Sequence, residues 1–369
     1  MQLVAYGAQD VYLTGNPQIT FFKVVYRRHT NFSMESIEQT FDGNADYGKR
    51  VSCTISRNGD LISNMYLRFT PGAPHNIGGP GGYDLIKSAT LEIGGQQIDK
   101  HYGHWMNVWS MLSTSASQRD NLNMMVHGAK DVSIAGGSGS QCYVPMQFWF
   151  CRNPGLALPL IALQYHEVKL VLELNTNNTH NSTKFTESPT LFVDYIYLDT
   201  DERRRFAQVS HEYLIEQLQF TGDETGDTTN KKFQLNFNHP VKELVWCNFT
   251  GTGVLVNNTE SPTNVRLQLN GHDRFSERDG MYFTHVQPWQ HHTACPASNL
   301  ATQGKGNVCV YSFALKPEEH QPSGTCNMSR IDTAVLNMNC NTTNTLRIYA
   351  VNYNVLRIMS GMGGLAYSN

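Results

Sequence analysis

Charged residues are scarce in this 369-residue chain. Asp, Glu, Lys and Arg make up 16% of it, against roughly 25% in an average soluble protein. Uncharged polar and small residues take their place, and a surface of that kind can be covered by a neighbour without stranding buried charges, which are costly. The composition therefore favours self-association. The net charge of −3 argues against direct contact with nucleic acid, which needs a stripe of cations.

Cysteine pairs with metal-ligand spacing are also missing. The chain has eight cysteines and none of them forms a C-x-x-C pair, so zinc-ribbon and thioredoxin-type sites lack their spacing. An even number of cysteines permits disulfides, but a chain of this length does not need them. We expect mostly buried free thiols in a reducing compartment. The cysteines are Cys53, Cys142, Cys151, Cys247, Cys295, Cys309, Cys326 and Cys340.

The sequence has neither a signal-peptide pattern nor a long apolar run. Residues 1–6 lack a basic segment followed by an apolar one, and the stretch from Leu156 to Leu163 is short and interrupted by Pro159. Synthesis and folding in the cytoplasm are therefore expected.

Motifs for catalysis are absent. No Ser nucleophile elbow, P-loop or G-x-G-x-x-G follows a predicted strand. The histidines His101 and His104 are three residues apart, and His291 and His292 are adjacent and would point to opposite faces of a strand, so neither pair fits a cupin metal site. We expect ordinary hydrogen-bonded histidines, no bound cofactor and no enzymatic activity. The sequence does not exclude a glycosidase, because its two catalytic carboxylates are paired in space and need not be close in sequence.

Alternating apolar residues dominate the chain and predict strands. Helical spacing is confined to Tyr102–Leu112 and, more weakly, Thr200–Gln208. The predicted strands are Val51–Ile55, Met65–Phe69, Ala89–Ile93, Val168–Leu174, Val241–Trp246, Val265–Leu269 and Leu346–Val351.

The two halves of the chain resemble each other. Leu91–Gln96 (LEIGGQ) matches Leu267–His272 (LQLNGH), and Val171–Asn175 (VLELN) matches Val335–Asn339 (VLNMN). Three further matches occur in the same order: Phe41–Gly43 with Phe220–Gly222, Phe148–Cys151 with Tyr311–Ala314, and Leu191–Val193 with Leu346–Ile348. Such ordered self-similarity indicates a duplicated unit.

The predicted fold is all-β: two tandem eight-stranded antiparallel jelly-roll β-sandwiches, with one or two short helices in the connections. The expected division is an N-terminal arm (1–34), a first jelly roll (35–200), a linker (201–212) and a second jelly roll (213–369).

The polar connections 42–49, 71–84, 175–189, 221–231 and 251–264 are alternate connections of the two predicted jelly rolls, so we expect them at one end. Such loops tolerate change and often carry surface function. Three sequons, at Asn177, Asn181 and Asn257, lie at predicted loop tips, and we name them as candidate glycan attachment sites.

The arm is apolar and has no counterpart in the second half. Its Tyr12, Phe21, Phe22 and Tyr26 need a surface to cover them. Packing under its own domain and docking beneath a neighbouring subunit are equally compatible with the sequence.

Several ordered stretches resemble the major capsid proteins of nucleocytoplasmic large DNA viruses, over essentially the whole chain. They are Asp10–Phe22 (DVYLTGNPQITFF), Glu92–Asp99 (EIGGQQID), Pro145–Phe150 (PMQFWF), Leu269–Phe275 (LNGHDRF) and Tyr353–Arg357 (YNVLR).

This resemblance implies a double jelly-roll structural protein of the virion capsid, three copies of which form a pseudo-hexagonal capsomer that tiles an icosahedral shell. It also implies an arm at the capsomer base facing the particle interior, with neighbouring capsomers, penton and minor capsid proteins as partners, and proximity to an internal lipid membrane. The alternative from the residues is a duplicated jelly-roll carbohydrate-binding module, suggested by the Trp- and Tyr-bearing segments.

Overall fold

We describe the fold from a computed structural model of the full chain. It describes residues 7–71, 81–127, 141–176, 185–225, 231–249, 263–296, 308–339 and 345–367.

The first half forms two antiparallel sheets. One has the strand order β1-β9-β3-β6, with β7 added beside β3, and the other has the order β2-β8-β4-β5. The strands are Phe32–Gln39 (β1), Arg50–Thr54 (β2), Leu61–Pro71 (β3), Ile86–Ile93 (β4), Gln96–His101 (β5), Cys142–Pro145 (β6), Leu158–Pro159 (β7), Val168–Leu174 (β8) and Phe185–Leu198 (β9).

The second half repeats this arrangement. Its sheets have the orders β10-β18-β12-β15 and β11-β17-β13-β14, with β16 beside β12 and β19 beside β18. The strands are His211–Thr225 (β10), Lys231–Gln234 (β11), Pro240–Phe249 (β12), Thr263–Leu269 (β13), His272–Asp273 (β14), Val308–Ser312 (β15), Cys326–Asn327 (β16), Ala334–Asn339 (β17), Thr345–Met359 (β18) and Met362–Leu365 (β19).

In both halves the first strand lies beside the last long one, and the strands follow each other in the same jelly-roll order. The predicted fold class is therefore confirmed. Three of the five repeat matches fall on corresponding strands, namely those at β4-β5 and β13-β14, at β8 and β17, and at β9 and β18. The other two do not, because Phe41–Gly43 follows β1 whereas Phe220–Gly222 lies within β10, and Phe148–Cys151 enters a short helix whereas Tyr311–Ala314 begins in β15.

The hairpins β4-β5 and β13-β14 show how local sequence fixes this repeat. Each turns through two residues with positive φ, Gly94 (58°) and Gly95 (81°) in the first half, and Asn270 (51°) and Gly271 (77°) in the second. Two such residues define the tight turn that matches the twist of a hairpin, and Gly and Asn tolerate this backbone best. A Cβ on Gly94 would also lie 2.4 Å from Nδ1 of His166.

The helices lie in connections and number more than the one or two expected. The two predicted segments are confirmed as α3 and α6. The helices are Val11–Thr14 (α1), Gly81–Leu85 (α2), Gly103–Ser113 (α3), Ala116–His127 (α4), Trp149–Arg152 (α5), Thr200–Gln208 (α6) and Gln287–His291 (α7), with a π-helical turn at Tyr282–Val286 and 3₁₀ turns at Pro154–Leu156, Leu160–Ala162 and Met328–Arg330.

The α4 helix escaped prediction because its apolar spacing is weak. Only Leu122, Met124, Met125 and Val126 interrupt a polar sequence, and of these Val126 is buried. Contacts with α2 and β6 stabilise this helix, which has no strong apolar stripe of its own.

Each half encloses a core between its two sheets, and the core of the first half also includes Ile215, Leu356 and Ile358 of the second half. The first core includes Met65, Leu67 and Phe69 of β3, and the second includes Leu244 and Trp246 of β12. Cys53 and Cys247 are buried thiols, and burial raises the pKa of Cys53 to about 11. None of the helices in the described ranges is long and apolar enough to span a membrane.

Candidate functional site

The N-terminal arm is exposed along its described length. Tyr12, Phe21, Phe22 and Tyr26 all project into solvent, and Phe22 is 99% exposed. The short α1 helix buries none of its residues. Residues 7–31 therefore do not pack under their own sandwich, which leaves a large apolar surface for another molecule to cover.

The arm enters the first sandwich at a defined end. Phe32, the first residue of β1, pairs with Leu198, and the strand continues to the pair Gln39 with Leu191. The arm thus leaves from the end of the sandwich opposite the connection between β1 and β2.

That opposite end gathers three of the predicted loops in the first half. The N–H of Gly48 donates to the carbonyl of Asn175 (2.9 Å), and Nδ2 of Asn175 donates to the carbonyl of Asp84 (2.7 Å). Tyr47 and Phe185 stack with their ring centroids 4.3 Å apart. The expectation that alternate connections share one end is confirmed for these three.

The glycan candidates Asn177, Asn181 and Asn257 lie outside the described residues. Another sequon, at Asn248, lies on β12 and is buried, so it presents no side chain for a sugar.

A third apolar cluster joins the two sandwiches. The α3 helix of the first half lies on the outer face of the second half's sheet β10-β18-β12-β15. The ring centroid of Trp105 is 5.1 Å from that of Tyr349, and Tyr102 meets Phe220 edge to face at 5.0 Å. The cluster consists of Trp105, Val108, Trp109, Leu112, Val245, Cys247, Phe249, Val308, Val310, Tyr349 and Val351.

Beside this cluster lies a buried ionic network that also crosses between the halves. Glu216 of β10 accepts from Nη1 of Arg152 of α5 at 2.9 Å and pairs with Nζ of Lys242 of β12 at 2.8 Å. The Lys242 side chain is 0% exposed, and burial lowers its pKa against the opposing effect of Glu216 and Glu243. The Arg152 guanidinium lies 4.2 Å from the ring centroid of Trp109.

The candidate histidines have ordinary protein partners. Nε2 of His101 is 2.8 Å from Oδ2 of Asp99, and Nδ1 of His291 is 3.0 Å from the carbonyl oxygen of Leu315. Burial, together with Arg347, lowers the pKa of His104 to about 4. Across the described ranges no group of three or more His, Cys, Asp or Glu side chains is placed to hold a metal ion.

His292 sits between two carboxylates. Its Nε2 lies 3.1 Å from Oε2 of Glu243, and its Nδ1 lies 2.8 Å from Oε1 of Glu318. Burial acts to lower the pKa of His292, but Glu243 and Glu318 outweigh it and raise the pKa to about 9. The N–H and hydroxyl of Thr293 donate to Glu318, which holds that carboxylate in place.

A pH dependence of folding follows from His292. Because its pKa is raised from 6.5 to about 9 on folding, the stabilisation is complete below pH 6.5 and is lost as the pH rises through 9. At about 1.4 kcal/mol per pKa unit it amounts to about 3 kcal/mol. Urea unfolding at pH 6, 7.5 and 9 measures this loss.

The control is His292→Gln, which should be less stable than wild type at pH 6 and nearly equal to it at pH 9 or above. Lys242, whose pKa is lowered, contributes the opposite slope, so the difference between the two proteins isolates His292. A constant difference across this range would contradict the assignment.

The tryptophans bear on the carbohydrate-binding alternative. Trp105, Trp109, Trp149 and Trp246 are buried, and only Trp289, at 79% exposed, reaches the surface. Buried indoles cannot stack on a sugar, so these four tryptophans serve the cores and the contact between halves.

The acidic and basic residues near 200 also find structural roles. The carboxylate of Asp199 caps α6 by accepting from the N–H of Thr200 at 2.7 Å. Nε of Arg203 pairs with Oδ1 of Asp60 at 3.1 Å. The basic residues Arg203-Arg204-Arg205 therefore lie in a helix that is tied to the first sandwich through Asp60.

Sequence reasoning missed the ionic network. A signal was present, because Lys242 and Glu243 interrupt the apolar run Val241–Trp246. Neighbours on a strand point to opposite faces, so a strand buried on both faces must bury both charges. The sequence could not show which distant residues pair with them.

Two family models together match almost the whole chain. The one described as the N-terminus of the major capsid protein matches residues 20–199. The one described as the large eukaryotic DNA virus major capsid protein matches residues 202–364.

Major capsid proteins of two other viruses align over the whole chain. The major capsid protein of Pyramimonas orientalis virus is 58% identical, covering 100% of this chain and 99% of its own length. That of Paramecium bursaria Chlorella virus 1 is 45% identical with the same coverage.

Solved structures agree with these relatives. A quasi-atomic model of the Paramecium bursaria Chlorella virus 1 capsid matches with a TM-score of 0.83 at 40% identity, over 95% of this chain and 100% of that one. The Faustovirus major capsid protein, at 12% identity, shares the fold with a TM-score of 0.76, over 96% of this chain and 94% of that one.

Proposed function

Because the chain belongs to the family of large eukaryotic DNA virus major capsid proteins and is a structural protein of a viral capsid shell, we propose that three copies of it form a pseudo-hexagonal capsomer. The observation that carries this proposal is the repeated sheet order of the two halves. Three chains with two similar sandwiches each supply six similar units around one axis. Head-to-tail contacts that close after three copies make such a ring, and obligate interfaces of this kind bury upward of about 2,000 Å².

The proposal keeps the division into an arm (1–34), two jelly rolls (35–200 and 213–369) and a linker (201–212). The exposed arm leaves the first sandwich at the end away from the gathered loops. It would lie at the base of the capsomer, towards the particle interior, where it meets neighbouring capsomers, penton and minor capsid proteins or an internal membrane. The loop end would face outward and carry any glycans on Asn177, Asn181 or Asn257.

The proposal assigns no catalytic activity, no cofactor and no direct contact with nucleic acid, and it places assembly in the host cytoplasm. Low charge supports the structural role, since 16% charged residues leave much of the surface available for burial between copies.

Light scattering and negative-stain microscopy test this proposal together. The purified protein should have about three times the 41.5 kDa mass of one chain and appear as hexagonal particles. A triple variant of the arm, Phe21→Ser/Phe22→Ser/Tyr26→Ser, should keep the trimer and lose at least about tenfold in the yield of closed shells in cells, because burial of each aromatic contributes a few kcal/mol.

The matched control is Gln18→Ser/Thr20→Ser, which changes exposed polar residues of the same arm and should assemble like wild type. A stable monomer at micromolar concentration at every salt concentration would refute the trimer. Normal shell yield from the triple variant would refute the role of the arm.

A further inference from the structure

The contact between the two halves contains a pattern of side chains that is repeated elsewhere in the chain. In α3, which lies between β5 and β6, Met106 packs into the core of its own sandwich. Trp109 and Leu112, three and six residues later, face outward and pack on the sheet β10-β18-β12-β15 of the second half. One helix thus anchors in its own sandwich and covers the outer sheet of the next.

The corresponding connection of the second half, between β14 and β15, has the same spacing. Phe283 of the π-helical turn lies in the core of its own sandwich. Three and six residues later come Val286, 39% exposed, and Trp289, 79% exposed. Met281 and Leu315 are also exposed, and we call these four residues the Trp289 patch. No described part of the chain covers it.

The surface equivalent to the one that α3 covers is the outer face of β1-β9-β3-β6 in the first half. Phe192 lies between the core residues Leu191 and Val193, so it points away from the core, and it is directly paired with Tyr66. Phe192 and Tyr66 are half-buried. The Arg68 guanidinium lies 5.1 Å from the ring centroid of Phe192.

This outer face is less apolar than its counterpart and is still suited to an indole. Tyr143, paired with Arg68, adds a third half-buried ring, 6.5 Å from that of Phe192. Arg68 is held by Glu38 at 3.4 Å. We call Tyr66, Arg68, Tyr143 and Phe192 the outer-sheet face. Aromatic rings and an arginine are the residues that most often supply binding energy at protein interfaces.

We propose that the Trp289 patch of one copy packs on the outer-sheet face of a second copy, repeating between chains the contact that α3 makes within one. The proposal rests on the trimer proposed above and names the surfaces that join it. Trp289 is exposed and Phe192 half-exposed in the same chain, so the two surfaces do not meet within one copy. Three head-to-tail contacts of this kind form the proposed trimer when each relates neighbouring copies by a third of a turn.

The Trp289 patch is continuous with the contact between the halves. Just after α7, His292 meets Trp109 edge to face at 6.4 Å, and the N–H of Ala294 donates to the carbonyl of Leu112 at 2.9 Å. The end of α3 therefore contacts the segment that follows α7. The contact between the two halves and the proposed contact between copies are thus adjacent on the surface of the second half.

Photo-crosslinking tests which surfaces meet. With p-benzoylphenylalanine in place of Trp289, irradiation of the full-length trimer should yield covalent dimers and trimers whose crosslinked peptides contain residues 61–71, 142–145 or 185–198. The same photoreactive residue at Tyr165, an exposed aromatic on the connection between β7 and β8, is the control and should not label those peptides. Crosslinks from position 289 to any other part of a neighbouring copy, or none between copies, would overturn the pairing.

The variant Trp289→Ala should raise the concentration at which the trimer dissociates by about thirtyfold, which corresponds to the 2 kcal/mol that marks an interface hot spot. Phe192→Ala should act in the same direction, and Tyr165→Ala should have no effect. The far-UV circular dichroism of Trp289→Ala should be unchanged, because the side chain is exposed. A monomeric wild type would refute the trimer itself, whereas a wild-type trimer that tolerates Trp289→Ala would refute only this pairing.

Discussion

Replacing Trp105 by alanine should lower the free energy of unfolding by about 3–5 kcal/mol, the range found when a large aromatic is removed from a packed site. Trp105 is fully buried, although it lies on a connecting helix and not in either sandwich core. Its ring packs against Tyr349 of the second half and Trp109 of its own helix, at 5.1 and 5.8 Å. The contact with Tyr349 crosses between the two halves, so the variant weakens their coupling.

Coupling gives this variant a second signature. Wild type should unfold in one transition in which both sandwiches melt together, and Trp105→Ala should unfold in two. Calorimetry, with urea titrations followed by near-UV circular dichroism, resolves them. The matched control is Trp246→Ala, which removes a buried indole from the core of the second half and should lower stability by a similar amount without separating the transitions. An unchanged single transition in Trp105→Ala would show that α3 does not couple the halves.

The sequence predicts the sandwiches well because their strands follow a local rule. One buried face per strand produces the alternation seen at Val168–Leu174, which is predicted to the residue. Tight hairpins need positive φ, and Gly94-Gly95 and Asn270-Gly271 supply it. These features depend only on near neighbours along the chain, so the sequence predicts them without knowledge of the fold.

The contact between halves depends on residues far apart in sequence, so the sequence predicts only part of it. The spacing of Trp105, Trp109 and Leu112 predicts a helix with an apolar side, but nothing local shows that this side covers the other sandwich. The arm presents the same difficulty, because its aromatics need cover and the sequence does not say where. In the structure Phe21 and Phe22 are exposed, which excludes the alternative that they pack under their own sandwich. Docking on a neighbouring subunit is the alternative that we propose.

The ionic network at the contact between halves should respond asymmetrically to mutation. Glu216 pairs with two cations, Arg152 at 2.9 Å and Lys242 at 2.8 Å, so Glu216→Gln removes the one group that neutralises both. Lys242 would be left fully buried with only Glu243 as a nearby carboxylate, and Glu243 already pairs with His292. An uncompensated buried charge costs about 3–5 kcal/mol, which is the expected loss of stability.

Lys242→Met should cost much less, within about 1 kcal/mol of wild type, because it removes a buried charge without leaving one unpaired. Glu216 still pairs with Arg152, and Glu243 still pairs with His292. Burial lowers the pKa of Lys242, which means that burial disfavours the charged form of this side chain. Without the lysine, Glu216 still accepts a hydrogen bond from Arg152. The double variant Glu216→Gln/Lys242→Met should therefore be more stable than Glu216→Gln alone. Urea unfolding at pH 7 of the three variants measures the difference. If Lys242→Met proves as damaging as Glu216→Gln, the lysine is a net source of stability and the asymmetry argued here is wrong.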